Sequence, residues 1–561
     1  MGSVNVCFLH APSIYDFRTR DLKEGPISDV VPSTPVFEMY PVGFISMLSY
    51  LVRNGFSARI SNLAVLMLSD RNFNAEKYIK RIDADIFGID LHWLPHTQGA
   101  FEVSKLVKKI HPESKVVFGG FSSSYFAEDI LKNNSSVDYI LAGDFMEEQM
   151  RKLALAVEDN LNLETVPNLV YRVNGAIKRT PRADDPDAVK KVFIDYKTLV
   201  RNAIFHHDIR GHLPYYAWVE NPVAMTILQR GCQFNCGFCG GSHYAYSKYY
   251  NSISPVRRDP EVIGLELEGI HETINSPVFM AGDLNAMGEK YYTALLNIIQ
   301  NRGLDLPLLT EYFVPPPEEY FATLSRFVQN YACEISPDSS DHLIRRETGR
   351  FYSNHDLERS IENAAKHDSK KFDVYFSIGL PGQDMNSVLR DADYLETIMK
   401  KYSTKKMPVY GFISPLTPFL DPGSLFYEMP DRYGYTITAK GIMDYYNLLD
   451  KGRIWQDFLN YESKSMSRDD LVEATYRSGI KMVESGTKLG YIDSVNGKRI
   501  VNNILSYMNG ESYTAQSDKS KHLTYLVKEI DWSRKHGVRA FSLMLLSYSL
   551  YETVRRAVTS N

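Results

Sequence analysis

The stretch Cys232-Gln-Phe-Asn-Cys236-Gly-Phe-Cys239 holds three of the five cysteines of this 561-residue chain. It follows a short run, 223–228, whose apolar and β-branched residues are typical of a buried strand. An iron–sulfur cluster normally takes four thiolates, so three thiolates would leave one iron with an open position. An open metal position is typical of a catalytic site rather than a structural one. The spacing CxxxCxxC therefore predicts chemistry at iron.

A structural zinc site is the alternative for this loop. Such sites usually pair two short Cys/His steps across a longer connection. Here Cys333 stands alone on a predicted strand, and His243 lacks a second ligand at zinc spacing. The sequence therefore favours an iron–sulfur cluster over zinc.

Composition and charge restrict the class of protein. The chain is 44% apolar and 23% charged, which is typical of a globular protein of several domains. A net charge of −5 gives no electrostatic footprint for nucleic acid. We find no signal peptide and no apolar stretch long enough for a transmembrane segment. Because clustered cysteines are typical of a reducing compartment, we predict a cytoplasmic protein.

The hydrophobic patterns divide the chain into four segments and predict an α/β fold class. Residues 1–156 alternate strands with helices, which predicts a doubly wound, Rossmann-like parallel sheet. Residues 157–221 are a predicted connector, rich in Pro, Asn and charge. Residues 222–420 alternate again and predict a partial (β/α) barrel with catalytic groups at its strand ends. Residues 421–561 are predicted to be helical; their amphipathic segment 538–558 favours a core or lid helix over a membrane-surface helix.

Unusual residues follow three predicted strands of the first segment. They are His10, then Asp90 with His92, Trp93 and His96, and then Gly119-Gly120 with Ser122. Doubly wound sheets bind ligands at the carboxyl ends of their strands. A pair of glycines allows the backbone to approach a large flat ligand closely. The sequence therefore predicts a ligand site at this edge.

The cysteine motif, with an aromatic residue before its last cysteine, resembles that of the radical S-adenosylmethionine (SAM) enzymes, and the resemblance covers residues 222–420. It implies a [4Fe–4S] cluster on Cys232, Cys236 and Cys239, with SAM on the open iron. The residues that it assigns to SAM are Phe238, Gly282, Asp283, Ser336, Arg345, Arg350 and Gly379. Many members carry a glutamate in place of Asp283. Two alternatives stay open: a solvated helix face for Arg345 and its neighbour Arg346, and a simple turn for Gly379.

Residues 1–150 resemble the cobalamin-binding domain that precedes the radical SAM domain in one large subgroup of these enzymes. The residues that this resemblance assigns to cobalamin are His10, Asp90, His92, Trp93, Gly119, Gly120 and Ser122. The glycine pair matches the one that lines the nucleotide tail, whereas Asp90 replaces the usual serine. His92 is a possible cobalt ligand. The alternative, slightly favoured, is that the residues around His92 only pack at the strand end.

Together the two resemblances imply a C-methyltransferase that uses methylcobalamin. A 5′-deoxyadenosyl radical would remove hydrogen from an unactivated carbon, which then takes the methyl group. The implied partners are an electron donor, such as ferredoxin or flavodoxin, and a peptide, protein or small-molecule substrate, of which a peptidyl one is preferred. The alternative enzyme would cyclise or join carbons on a lipid or other small molecule. A cobalamin-responsive binding module, the non-enzymatic alternative, would leave the cysteine loop without a role.

Overall fold

The computed structural model describes residues 4–22, 36–183, 185–190, 192–219, 221–250, 255–416 and 419–508. The amphipathic segment predicted at 538–558 lies outside these ranges. Within them, no helix combines the length and the apolar character that crossing a membrane requires.

The first sheet has seven strands in the order β2-β1-β3-β4-β5-β6-β7. Their bounds are β1 Val4–His10, β2 Ala58–Asn62, β3 Ala84–Asp90, β4 Lys115–Gly119, β5 Tyr139–Leu141, β6 Leu169–Val173 and β7 Ala176–Arg179. The strands from β2 to β5 pair in parallel, as the alternating pattern predicts. β6 and β7 add two antiparallel strands from residues assigned to the predicted connector. The first sheet therefore continues to residue 179.

The second sheet is the predicted partial barrel. Its strands are β8 Ala224–Ile227, β11 Val278–Asp283, β12 Leu308–Tyr312, β13 Tyr331–Asp338, β14 Phe372–Ile378 and β15 Val409–Pro415. All are parallel and lie side by side in sequence order, so each crossover brings the chain to the neighbouring strand. Two short antiparallel pairs complete the strands: β9 Gln229–Arg230 with β10 Val256–Arg257, and β16 Tyr435–Ile437 with β17 Tyr461–Ser463.

Helices cover both sheets. The helices of the first sheet are α1 Gly43–Arg53, α2 Leu63–Ser69, α3 Ala75–Ile79, α4 Thr97–Ile110, α5 Phe121–Tyr125, α6 Ala127–Asn133 and α7 Glu147–Glu158. The junction contains α8 Pro186–Lys190, α9 Tyr196–Phe205 and α10 Ile209–His212. The barrel helices are α11 His243–Ala245, α12 Pro260–Thr273, α13 Glu289–Asn301, α14 Glu318–Phe327, α15 His342–Glu347, α16 Asn354–Lys366 and α17 Met385–Tyr402. One apolar core runs through both layers.

The last described part is mainly helical, as predicted. Its helices are α18 Leu425–Glu428, α19 Pro430–Tyr433, α20 Ile442–Lys451, α21 Arg468–Lys488 and α22 Ser494–Met508. α21 begins at a capping box, in which Ser467 and Asp470 satisfy each other's backbone N–H groups. It packs against β15, α17 and α22, beside the outermost barrel strand. α20 packs on α4, so the last part contacts both sheets.

Candidate active site

The cysteine loop leaves the barrel directly after β8 and β9. Burial raises the pKa of all three thiols, that of Cys236 to about 11, and neighbouring cysteines raise the pKa of Cys236 and of Cys239 further. The Cys232 Sγ accepts a hydrogen bond from the Phe234 N–H at 3.4 Å, and the Cys239 Sγ accepts one from the Gly241 N–H at 3.3 Å. Backbone N–H groups aimed at sulfur stabilise a thiolate, the form that binds metal. The donor set therefore fits an iron–sulfur cluster.

The three thiols are not arranged around a single point. In the described part of the chain, no three His, Cys, Asp or Glu side chains converge closely enough to hold one metal ion. A cluster spreads its thiolates over different irons, whereas a zinc ion needs its ligands at one centre. The arrangement is therefore compatible with the predicted cluster.

Segments distant in sequence hold the loop in place. The Gly237 N–H donates to the Thr348 carbonyl at 3.1 Å, and the Gly237 carbonyl accepts from the Phe426 N–H at 2.9 Å. The Gly240 N–H donates to Asp421 Oδ2 at 3.1 Å. A side chain at Gly237 would collide with the Phe426 ring, since a Cβ there would lie 2.2 Å from it. The loop conformation thus depends on the barrel and on the last part of the chain.

One cavity of about 1460 Å³ extends from the carboxyl edge of the first sheet into the barrel. Its wall on the first sheet includes Asp90, His92, Trp93, Gly119 and Gly120. Its barrel wall includes Cys232, Cys239, Gly282 and Glu311. Residues of α21 and α22 line its third side. The two sites predicted separately from the sequence therefore open into one space.

The glycine pair shapes the cobalamin wall. A Cβ at Gly119 would meet no atom within 4 Å, so this backbone borders open space. Gly120 has a φ of +108°, and a Cβ there would lie 2.5 Å from the Cα of His92. Only glycine fits at Gly120, because both the torsion and the contact exclude a side chain. This open cradle fits the predicted approach of a large flat ligand.

Asp90 and His92 face the same wall. Asp90 Oδ1 lies 2.9 Å from His10 Nδ1, while its buried Oδ2 has no hydrogen-bond partner. Although burial raises the pKa of Asp90, the neighbouring His10 and His96 bring it below its usual value. Burial lowers the pKa of His92 to about 4, so its imidazole is neutral near pH 7, as a cobalt ligand must be. The chemistry of this wall therefore fits cobalamin.

Four other predicted residues lie at this edge of the sheet. His10 and His96 are buried behind the wall, and the Nε2 of each lies within hydrogen-bond distance of the Phe37 carbonyl, at 3.1 and 2.9 Å. The Ser122 hydroxyl donates to the His92 carbonyl at 3.0 Å. Trp93 lies on the wall and stacks on Phe37 with ring centroids 5.0 Å apart. His10 and Ser122 thus support the wall residues from behind.

Among the residues assigned to SAM, Gly282 lies on the cavity wall, at a φ of +111°. Asp283 is buried beside it, but its carboxylate accepts from three backbone N–H groups, those of Ala286, Phe313 and Val314. Asp283 therefore joins the ends of β11 and β12. Burial between these two strand ends raises the pKa of Asp283 to about 6.

Arg345 and Arg350 are buried, so the solvated helix face considered for Arg345 is wrong, whereas Arg346 is exposed. Arg345 donates to the Ser339 carbonyl at 2.8 Å and to the Tyr352 carbonyl at 3.0 Å. Arg350 pairs with Asp338 at 3.3 Å. Neither arginine borders the cavity, and Phe238, Ser336 and Gly379 also lie off its wall. The role of all five in binding SAM stays a prediction.

Two cavity residues were not foreseen from the sequence. Glu311, at the end of β12, accepts from the Gly282 N–H at 2.9 Å, and burial raises its pKa to about 7. Arg230 pairs with Asp144 at 2.9 Å and with Glu147 at 3.0 Å, which ties the cysteine loop to the first sheet. Glu311 offers the cavity an acid next to Gly282, where the sequence suggested Asp283. The position of Arg230, immediately before Gly231 and Cys232, could have marked it as a residue that holds the cysteine loop.

Two models of known families match separate parts of the chain. Residues 226–395 match the model of the Radical SAM superfamily, and residues 29–150 match that of the B12 binding domain. An uncharacterized methyltransferase of Pyrococcus horikoshii is 25% identical over 63% of this chain and 70% of its own length. The hopanoid C-3 methylase of Methylococcus capsulatus is 23% identical, and the match spans 40% of each protein.

Solved structures share the fold. The radical SAM methyltransferase TsrM of Kitasatospora setae, solved with tryptophan substrate and a SAM analogue, matches with a TM-score of 0.55 and 15% identity. That match covers 78% of this chain and 79% of TsrM. The cobalamin-dependent SAM radical enzyme OxsB, with aquacobalamin and SAM bound, gives a TM-score of 0.56 and 12% identity over 100% of this chain and 80% of its own. At these identities the likeness confirms the predicted fold class.

Proposed function

Because this chain is a cobalamin-dependent radical SAM enzyme, with a [4Fe–4S] cluster, SAM and cobalamin as its cofactors, we propose that it methylates an unactivated carbon. The observation that supports this reaction is the shared cavity, which joins the cobalamin wall at Gly119 to the cysteine loop at Cys232 and Cys239. When bound, the cluster supplies the electron that cleaves SAM, and cobalamin supplies the methyl group. A substrate carbon in this cavity would face both cofactors.

Different side chains in and around the cavity would bind the different cofactors. Cys232, Cys236 and Cys239 hold the cluster. Glu311 is within one hydrogen bond of the Gly282 backbone and presents its carboxyl group to the cavity. We assign the methionine amine of SAM to this pair, because its N–H groups would donate to the Glu311 carboxylate and offset part of the cost of burying it. Asp283 then acts as a positioning residue that fixes Gly282.

On the other wall, Gly119 and Gly120 would admit the flat face of cobalamin, and Gly120 allows His92 to lie against the backbone of the turn. The neutral His92 imidazole lies on this wall without a hydrogen-bond partner in the described part of the chain. We keep His92 as the candidate cobalt ligand and Asp90 as its neighbour with a free acceptor oxygen.

The test is an anaerobic reaction of the full chain with SAM, methylcobalamin, reductant and candidate substrates, followed by mass spectrometry. We expect a product heavier by one methylene, with 5′-deoxyadenosine and S-adenosylhomocysteine in similar amounts. A Cys236→Ala variant should form neither nucleoside. Formation of 5′-deoxyadenosine without S-adenosylhomocysteine would contradict methylation and favour cyclisation or carbon–carbon joining. A peptidyl substrate stays a prediction, which candidate peptides in the same reaction would test.

A further inference from the structure

An acidic row crosses the inside of the barrel. In the parallel register, Glu311 on β12 pairs with Glu334 on β13, Glu334 with Asp373 on β14, and Asp373 with Tyr410 on β15. Residues paired in this way point to the same face of a sheet, and all four line the cavity. Three carboxyl groups therefore share one wall.

The protein compensates only part of this charge. Lys371 pairs with Asp373 at 2.5 Å, and Glu311 accepts the Gly282 N–H. The half-buried Glu334 side chain has no hydrogen bond or ion pair with any residue that the structure describes, although the nearby Lys371 lowers its pKa. Asp373 is 1% exposed, and both Lys371 and the Tyr375 hydroxyl lower its pKa against the effect of burial. A buried wall of this kind is costly unless a cation joins it.

The titration of these groups agrees with the geometry. Burial and the neighbouring carboxylates of Glu311 and Asp373 raise the pKa of Glu334 well above its usual value. Burial likewise raises the pKa of Asp373. The other charged side chains that line this half of the cavity are Lys371, and Asp493 and Arg499 on the exposed edge of the α21–α22 turn.

The facing side of the cavity is apolar. It is built by residues of the last part of the chain: Trp455, Tyr476, Met482, Val483, Ile500 and Ile504. A ligand between the two walls would meet carboxylates on one side and apolar side chains on the other. This polarity selects an organic cation rather than a hydrated metal ion, because apolar side chains offer no oxygen ligands.

We propose that the barrel interior binds a protonated amine of the substrate at Glu334 and Asp373, with an adjoining apolar group against α21 and α22. The inference rests on the proposed function, since it takes this cavity as the substrate site. It narrows the substrate class to amphiphilic amines. Glu311 is left for the amine of SAM, so the two amines occupy different parts of the row.

The test measures binding and needs no turnover. Hexylammonium chloride and the neutral 1-hexanol are titrated by calorimetry into holoenzyme saturated with SAM, without reductant. We expect hexylammonium to bind about tenfold more tightly or better, as one charge-assisted hydrogen bond would give. Glu334→Gln should remove this preference and leave hexanol binding unchanged. Met482→Ala should weaken both probes alike, because it removes apolar contact only.

A matched control is Glu362→Gln, which changes an exposed glutamate of α16 in the same way and should keep the preference. Asp373→Asn is the second variant if Glu334→Gln fails to fold, as judged by thermal unfolding and cobalamin absorbance. Equal affinity of the two probes, or a preference that survives in both variants, would overturn the proposal. The hexylammonium titration is repeated without SAM; binding that occurs only in the absence of SAM would also overturn the proposal, because the amine site would then be that of SAM. Methylation assays fail or succeed independently of these results.

Discussion

Replacing Arg230 by methionine should loosen the junction between the first sheet and the cysteine loop. The Arg230 side chain is 11% exposed, and its two partners, Asp144 and Glu147, are 16% and 4% exposed. Removing one partner of a buried ion pair costs about 3–5 kcal/mol, because it leaves the other charge uncompensated. Hydroxyl groups of Tyr246 and Ser46 still donate to the two carboxylates, so we expect the lower end, about 3 kcal/mol.

The assay is urea unfolding of the holoenzyme, with tryptophan fluorescence and cobalamin absorbance as separate probes. Losing Arg230 would raise the pKa of Asp144 further above its usual value, so the deficit should grow as the pH rises above that value. Arg453→Met is the control: its ion pair with Asp21 is exposed, and its loss should cost about 0–1 kcal/mol.

A variant that combines Arg230→Met with Asp144→Asn and Glu147→Gln separates charge from packing. Neutral amides remove the uncompensated charges, so this variant should regain most of the lost stability. Our reasoning is refuted if Arg230→Met is as stable as Arg453→Met. It is equally refuted if the triple variant is no more stable than the single one.

Four further changes test the two walls. Gly119→Ala should fold normally and weaken cobalamin binding about tenfold or more. Gly120→Ala should lose about 2–4 kcal/mol of stability through strain and the clash with His92. Unfolding and absorbance titrations distinguish the two variants, and equal stability of both would contradict these roles. His92→Ala should change the axial signal in the EPR spectrum of bound cob(II)alamin, and an unchanged signal rules out ligation. Glu311 has a raised pKa, so its ionisation destabilises the fold as the pH rises from about 4.5 to about 7. Glu311→Gln should therefore be the more stable protein by about 1–3 kcal/mol above that range, and a difference independent of pH would argue against a buried, titrating carboxyl.

Local sequence patterns predicted the strands, the helices and the cysteine loop, because these depend mainly on neighbouring residues. The alternation of strands and helices gave both parallel sheets, and the cysteine spacing placed the loop after the first barrel strand. Gly120 has the positive φ that favours glycine, while its contact with cobalamin stays a prediction. Strands β6 and β7 were missed, since two short antiparallel edge strands carry a weak pattern in a polar segment.

The roles of individual acids and arginines could not be predicted in this way. Asp283 and Glu311 lie on neighbouring strands, and the backbone N–H groups of Phe313 and Val314 decide which carboxylate stays free to face the cavity. A register shift between Met280 and Asp283 sets this choice. Because such contacts join residues distant in sequence, only the folded chain reveals them.

Three parts of the chain hold the cysteine loop in place. Arg230 ties its start to the first sheet, Thr348 of the barrel accepts from Gly237, and Asp421 and Phe426 bind its glycines from the other side. A polypeptide limited to residues 222–420 would keep all three cysteines and lose two of these three supports. The modules seen in the sequence are thus not interchangeable parts, and any recombination of such enzymes must carry the matching junction residues with the loop.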